Sequence, residues 1–256
     1  MAGSALASVA LHEPVFISDL HLAQIRPRTA ERFLQLAAEL RSGRRELVIL
    51  GDLFEYWAGD EETSEGIGAI VCGALRSLAA SGVPVYFMRG NRDLLLSDGF
   101  AQASGAVLLA DPCYTELAGV ATVLAHGDAY CTLDTTYQAF RRRARDPRWQ
   151  RAFLAFPLFL RRAMIGQVRR ASEAGKQSMQ PYIMDVTAEA IVQALRSAGA
   201  QRMIHGHTHR PARHQLHVDG RDAERWVLPD WDFDASPSRG GTLQLIGGKL
   251  STVDLA

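Results

Sequence analysis

The chain has 256 residues, 47% of them hydrophobic, which suits one large domain or one domain carrying an insertion. Its 28 basic and 28 acidic side chains cancel, so the molecule as a whole has no electrostatic case for nucleic acid. Three cysteines, Cys72, Cys113 and Cys131, make no CxxC pair; this argues against a disulfide framework or a zinc–thiolate site and for a reducing compartment.

Met1 to Pro14 contains no Lys or Arg and only a short, interrupted apolar stretch, so it reads as a leader into the first strand rather than a cleaved signal. No run of about 18 apolar residues occurs, and a cytoplasmic protein is expected. Pro14 to Ile17 predicts a buried strand ending at Ser18-Asp19-Leu20-His21. Thr29 to Leu40 predicts a helix on Phe33, Leu36, Ala37 and Leu40. Glu46 to Leu50 predicts a second strand, running into Gly51-Asp52, and Ser64 to Ala80 a second helix. Val83 to Met88 predicts a third strand, ending at Gly90-Asn91-Arg92-Asp93. Strands alternating with helices imply an α/β fold with a largely parallel sheet. Ala118 to Leu124 predicts another strand, ending at His126-Gly127-Asp128, and a helical stretch follows from about Leu133 to Met179. A helix over Thr187 to Ser197 and a short strand, Arg202 to Ile204, lead into His205-Gly206-His207-Thr208-His209. The tail predicts small strands at Gln215–Val218, Arg225–Leu228, Thr242–Ile246 and Lys249–Val253.

Five polar clusters thus follow five apolar strands, and in open α/β sheets the site forms beyond the carboxyl ends of the strands. Any one of them alone reads equally well as a turn or a helix cap; five in the same position point at one place. Asp19, His21, Asp52, Asn91, His126, His207 and His209 offer oxygen and nitrogen donors without thiolates, which suits manganese, iron or zinc. Asp19 and His21, like His207 and His209, lie two apart, which in an extended segment puts both on one side. Seven donors exceed one tetrahedral ion and match two ions about 3.5–4 Å apart with a bridging carboxylate, for which Asp52 is the choice. His12, His205, His214 and His217 are expected to be structural or solvent-facing.

The series Asp-x-His, Gly-Asp, Gly-Asn-x-Asp, His and Gly-His-x-His resembles the calcineurin-like metallophosphoesterases. The strings Gly51-Asp-Leu-Phe-Glu-Tyr-Trp57 and His205-Gly-His-Thr-His-Arg-Pro211 are similar to the narrower family of UDP-2,3-diacylglucosamine hydrolases of lipid A biosynthesis. The resemblance covers about Val15 to Leu228. It implies a single domain, 1–256, built as a sandwich of mixed β sheets flanked by helices, with a helical lid inserted at 133–180. It implies one metal held by Asp19, His21, Asp52 and His209 and a second held by Asp52, Asn91, His126 and His207, both manganese. Catalysis is assigned to Asn91, Arg92 and Asp93, and substrate contacts to Asn91, Arg92, Asp134, Ser172, Lys176 and His207. Met179 departs from a position that is often basic in relatives. The implied reaction cleaves the pyrophosphate of UDP-2,3-diacylglucosamine to UMP and 2,3-diacylglucosamine 1-phosphate, a hydroxide between the ions attacking the α-phosphorus.

Arg92 bears on that substrate. Arginine stays charged and cannot protonate an alkoxide leaving group, whereas it can hold phosphate oxygens through paired hydrogen bonds. That suffices when the leaving group is already a phosphate. Between Ala139 and Lys176 stand eleven Arg or Lys against two acids, interleaved with Phe140, Trp149, Phe153, Phe156 and Phe159. Such a face suits an anionic membrane surface and acyl chains better than nucleic acid, and implies a peripheral protein on the cytoplasmic side of the inner membrane with no protein partner. The rival readings are another nucleotide pyrophosphatase or phosphodiesterase of the superfamily, a catalytically dead scaffold that uses the fold to bind proteins, and a nucleic-acid-binding module.

Overall fold

Short strands with side chains alternating between two apolar faces set the layers of this protein, seen in a computed structural model that describes residues 7–43, 45–176, 183 and 185–256, with the backbone alone for 171–176. Strands β1 (Pro14–Ile17), β2 (Glu46–Ile49), β3 (Val85–Met88) and β4 (Val107–Leu109) pair side by side in parallel. Helices α1 (Pro27–Leu40), α2 (Gly66–Ala80) and α3 (Asp98–Ser104) connect them in turn. Val15, Ile17, Leu47, Ile49, Val85 and Phe87 join Phe33, Leu36, Val71 and Leu75 in a core between this sheet and the helices. The alternate residues Phe16, Val48, Leu50 and Met88 point the other way.

They meet a second sheet. Strands β5 (Cys113–Leu117), β6 (Val120–Ala125), β7 (Arg202–His205), β8 (Ala212–Val218) and β9 (Arg221–Val227) stand in the order β5-β6-β7-β9-β8. Leu117, Leu124 and Ile204 fill the space between the sheets. Val123 and Met203 face α7 (Ala188–Ala198) through Ile191 and Leu195. The tail hairpin, β10 (Gly241–Ile246) and β11 (Lys249–Asp254), returns to the first sheet, with β10 antiparallel to β1. Three hairpins close on two-residue turns with both φ angles positive, at Ala118-Gly119, Asp219-Gly220 and Gly247-Gly248, the turn whose twist matches that of the strands.

The expected sandwich of mixed sheets with flanking helices is therefore present. The largely parallel sheet is corrected: parallel pairing is confined to β1–β4 and to β6, β7 and β9, and every hairpin adds an antiparallel pair. The single helical stretch expected from Leu133 divides into α4 (Thr135–Ala144), α5 (Pro147–Leu154) and α6 (Leu158–Lys176). Pro147 and Pro157 cause the breaks, because proline lacks the N–H and crowds the preceding turn. Asp134 and Asp146 cap α4 and α5 by accepting the N–H of Tyr137 and Arg148. All three cysteines are buried. Among the described residues no helix is long and apolar enough to cross a membrane.

Candidate metal centre

The five loops beyond β1, β2, β3, β6 and β7 meet at one edge of the sandwich. Backbone bonds zip them together: Asp19 N–H to Gly51 O (3.1 Å), His21 N–H to Asp52 O (3.0 Å) and Gly206 N–H to His126 O (2.9 Å). Two triads result, Asp19–His21–His209 and Asp52–His126–His207, each with its donor atoms within 4.8 Å of one another. Each triad draws on both sheets, so the centre lies across the seam between them. Asn91 completes the second group, with Oδ1 3.0 Å from His126 Nε2.

The backbone carries these side chains in an unusual way. Asp19 (φ 57°), His21 (φ 50°), Asp52 (φ 53°), His207 (φ 69°) and His209 (φ 53°) are all left-handed. Among the described residues only two other non-glycine positions, the turn residues Ala118 and Asp219, share that region. The expectation that Asp19 and His21, or His207 and His209, sit together because their segments are extended is thus corrected. Each pair is gathered by left-handed turns that cost energy and persist only where surrounding structure enforces them. Gly206 shows how tight the enforcement is: a Cβ there would stand 2.2 Å from Asp19 Oδ2 and 2.3 Å from Ser18 Oγ.

The polar atoms fit divalent cations. Asp19 Oδ2 accepts from Ser18 Oγ (2.6 Å) and from His207 N–H (2.8 Å). Its Oδ1 is buried without a hydrogen bond, while His209 Nε2 stands 3.4 Å away. The Nε2 atoms of His21 and His209 face each other at 3.3 Å. Three donors turned on one point, with an orphaned carboxylate oxygen among them, could hold a cation between them.

Protonation follows from burial and these neighbours. Burial, with His209, Arg92 and Arg26 nearby, pushes His21 well below the usual range and favours the neutral ring. Burial and the charge of His126 push His207 down to about 3. Burial would raise Asp19, but His209, His126 and His21 outweigh it and hold the carboxyl below its ordinary value. His126 goes the other way. Burial opposes its charge, yet Asp52, Asp128, Asp19 and Asp111 push it up to about 9. Its geometry agrees: Nδ1 faces Leu50 O (2.9 Å) and Nε2 faces Asn91 Oδ1 (3.0 Å), two acceptors that call for two N–H groups.

Asp93, expected among the catalytic groups, does not reach this cleft. It is fully buried, and its carboxylate accepts Gly90 N–H (2.7 Å), Leu53 N–H (2.8 Å) and Asp52 N–H (3.4 Å). It clamps the second and third loops together from beneath. Arg92 lies at the rim; its N–H donates to Asp52 Oδ1 (2.9 Å) and its guanidinium stands 3.7 Å from Glu55 Oε1. Glu55 and Asp128 escaped the sequence reading as site-supporting groups. Asp128 is buried, takes the Tyr137 hydroxyl (2.7 Å) and Arg141 Nε (2.8 Å), and lies 3.4 Å from Arg145. Tyr137 stacks on His207 with ring centres 6.1 Å apart.

The basic insertion also divides. Arg141, Arg145, Arg161, Arg162 and Arg169 are turned onto acids outside the insertion, namely Asp111, Asp128, Glu55, Glu61, Glu62 and Glu65. Trp149 and Phe153 stack on each other and pack against the first core, so they belong to the interior rather than to a lipid face. Phe140, Phe156 and Phe159 remain exposed. Asp134 is half-buried and caps α4 through one oxygen. The side chains of Ser172 and Lys176, and Met179 altogether, lie outside the described residues.

A family model described as calcineurin-like phosphoesterase matches residues 14–211. Proteins named UDP-2,3-diacylglucosamine hydrolase are similar along most of their length. The one from Bordetella pertussis is 45% identical over 96% of this chain and 97% of its own. That from Chromobacterium violaceum is 47% identical over 94% and 98%, and that from Aromatoleum aromaticum 47% identical over 86% and 90%. The chain belongs to the calcineurin-like phosphoesterases and, within them, to the family of the UDP-2,3-diacylglucosamine hydrolases.

Proposed function

We propose that the protein hydrolyses the pyrophosphate bond of UDP-2,3-diacylglucosamine to UMP and 2,3-diacylglucosamine 1-phosphate. The observation that carries the reading is the pair of triads across the seam, with an arginine rather than a proton donor at their rim. Asp19, His21 and His209 would hold one divalent ion, and Asn91, His126 and His207 a second, with Asp52 shared between them. Oxygen and imidazole donors without thiolate suit manganese. Such ions supply Lewis acidity and an acidified water.

The protein's own groups do the rest. Arg92, with Asn91 and His207, holds the phosphate oxygens on which charge develops. Water adds at the α-phosphorus and gives one proton up to solvent, the bond from that phosphorus to the bridging oxygen breaks, and the lipid phosphate departs as an anion that needs no proton. Asp93 keeps the loops of Asp52 and Asn91 in register. Asp134, Ser172 and Lys176 would meet the nucleotide-sugar part. A cleft of about 370 Å³ beside Glu55, with Leu22, Ile25, Phe54, Trp57 and Ile67 on the core side and Arg162 and Arg169 on the lid, suits acyl chains. The exposed Phe156, Phe159 and Leu160, with Arg148 and Arg151 alongside, suit peripheral contact with the cytoplasmic face of an anionic membrane.

The test is turnover of UDP-2,3-diacylglucosamine by manganese-loaded protein in oxygen-18 water. Label in UMP is the expected result. Label in the lipid phosphate would move the attack to the other phosphorus, and no turnover with metal bound would overturn the reading.

A further inference from the structure

Glu55 touches three parts of the molecule at once. Its Oε2 stands 3.4 Å from His21 Nδ1, a buried nitrogen with no hydrogen-bond partner among the described residues and this carboxylate beside it. Its Oε1 stands 3.7 Å from the Arg92 guanidinium and accepts a hydrogen bond from Arg169 of α6. The backbone puts it there. Leu22 and Phe54 form a parallel bridge, and Glu55 N–H donates to Leu22 O (3.1 Å), so the carboxylate emerges beside His21.

Arg169 arrives by an equally fixed route. The start of α6 is pinned by Arg161, whose guanidinium is buried at 2% exposure. It donates to Phe156 O (2.8 Å), to Ala58 O and to Glu61. The hollow exists because residue 59 is glycine: a Cβ there would stand 2.0 Å from Arg161 Nη1. Eight residues further on, about 12 Å along the helix, Arg169 lies over Glu55.

We infer that Glu55 is a positioning residue that sets the metal ligand His21 on one side and, on the other, couples the lid helix α6 to the phosphate-facing Arg92. A carboxylate on one nitrogen of a ligating histidine fixes the tautomer, turns the ring and raises the basicity of the other nitrogen. Here that other nitrogen, Nε2, faces His209. Two guanidinium groups share Oε1, Arg169 closely and Arg92 at longer range, so docking of α6 satisfies Glu55 and leaves Arg92 available to phosphate. Withdrawal of Arg169 would let Glu55 draw Arg92 away from the substrate. The assignment of Arg92 rests on the hydrolase reading; the assignment of His21 rests on geometry alone.

The experiment compares the full-length protein with Glu55→Gln, Glu55→Asp, Arg169→Ala and the double variant Glu55→Gln/Arg169→Ala. Manganese affinity is read by calorimetry, kcat and KM with UDP-2,3-diacylglucosamine, and folding by thermal melting. Glu55→Gln should bind manganese about 10–100-fold more weakly, with Glu55→Asp recovering part of the loss. Arg169→Ala should raise KM several-fold at unchanged manganese affinity, and should raise it no further once Glu55 is Gln. Wild-type manganese affinity in Glu55→Gln, or a Gln variant no weaker than the Asp variant, would overturn the link to His21. A KM increase from Arg169→Ala that persists in full in the double variant would overturn the link to the lid. Calorimetry needs no substrate: wild-type protein that binds manganese but leaves UDP-2,3-diacylglucosamine intact would overturn the hydrolase reading, while the metal titrations still decide the role of Glu55.

Discussion

Gly90 packs against Asp52 so closely that a Cβ on it would stand 2.1 Å from Asp52 Oδ1 and 2.5 Å from the Asp52 nitrogen. No flexible side chain can yield there, because the clash is with a buried carboxylate and its own backbone. Gly90→Ala should therefore cut turnover at least 100-fold and lower the metal content, with the sheets still folded. Metal analysis beside circular dichroism checks this; full activity would mean that the loops are softer than they look.

Asp93 serves three amides with two oxygens. Asp93→Asn keeps the shape but turns an NH₂ towards N–H donors. A buried donor left unsatisfied costs about 1–3 kcal/mol, and each kcal/mol lowers the melting temperature of a chain this size by about 2–4 °C. The variant should melt several degrees lower and lose activity in proportion to misplaced metal. Calorimetric melting with and without manganese separates the two effects.

Arg92→Ala should lower kcat about 10²–10³-fold, the usual loss of one charge-stabilising donor, with manganese affinity little changed. Arg92→Lys should recover only part, because an ammonium cannot make the paired contacts of a guanidinium. Steady-state kinetics alongside metal titration decides; an unchanged kcat would remove Arg92 from the reaction.

Manganese uptake should release protons. In the metal-free protein Nε2 of His126 carries a proton up to about pH 9, and burial together with Asp93 and Asp19 pushes Asp52 up as well. An ion at the second triad must displace these protons. Affinity should therefore rise with pH, by about tenfold per unit for each proton displaced, and level off above about pH 9. Titrations in buffers of different ionisation enthalpy count the protons directly.

Phe156, in the break before α6, and Phe159, in its first turn, are 46% and 74% exposed, with basic residues near them in the chain. Replacing both by Ser should weaken co-sedimentation with anionic vesicles about tenfold or more and leave hydrolysis of detergent-dispersed substrate intact. Undiminished vesicle binding would place the membrane contact elsewhere.

The first sheet was legible in the sequence because β1, β2 and β3 are buried almost throughout and, Glu46 apart, read as apolar runs. The convergence of Asp19, Asp52, Asn91, His126 and His207 followed from strand ends alone. What escaped was short or non-local. α3 has seven residues and β4 three, too few for a period to show. The left-handed turns at the ligands leave no compositional trace, because Asp and His are ordinary residues whose conformation is imposed by loops on other strands. Asp93 entered the catalytic set with the Gly-Asn-x-Asp motif of the resemblance, and only the fold turns it inward. Glu55 acquires its part from Arg169, 114 residues away.

The left-handed ligands set stability against function. Glycine at the positions of Asp19, His21, Asp52, His207 or His209 would relieve about 1–2 kcal/mol of backbone conflict at each, yet would delete a donor from the centre. A search for thermostable variants should therefore keep returning to these five sites and should find there only inert proteins. The molecule is least at ease where it is most useful, and the stability of its two cores is what allows that unease to persist.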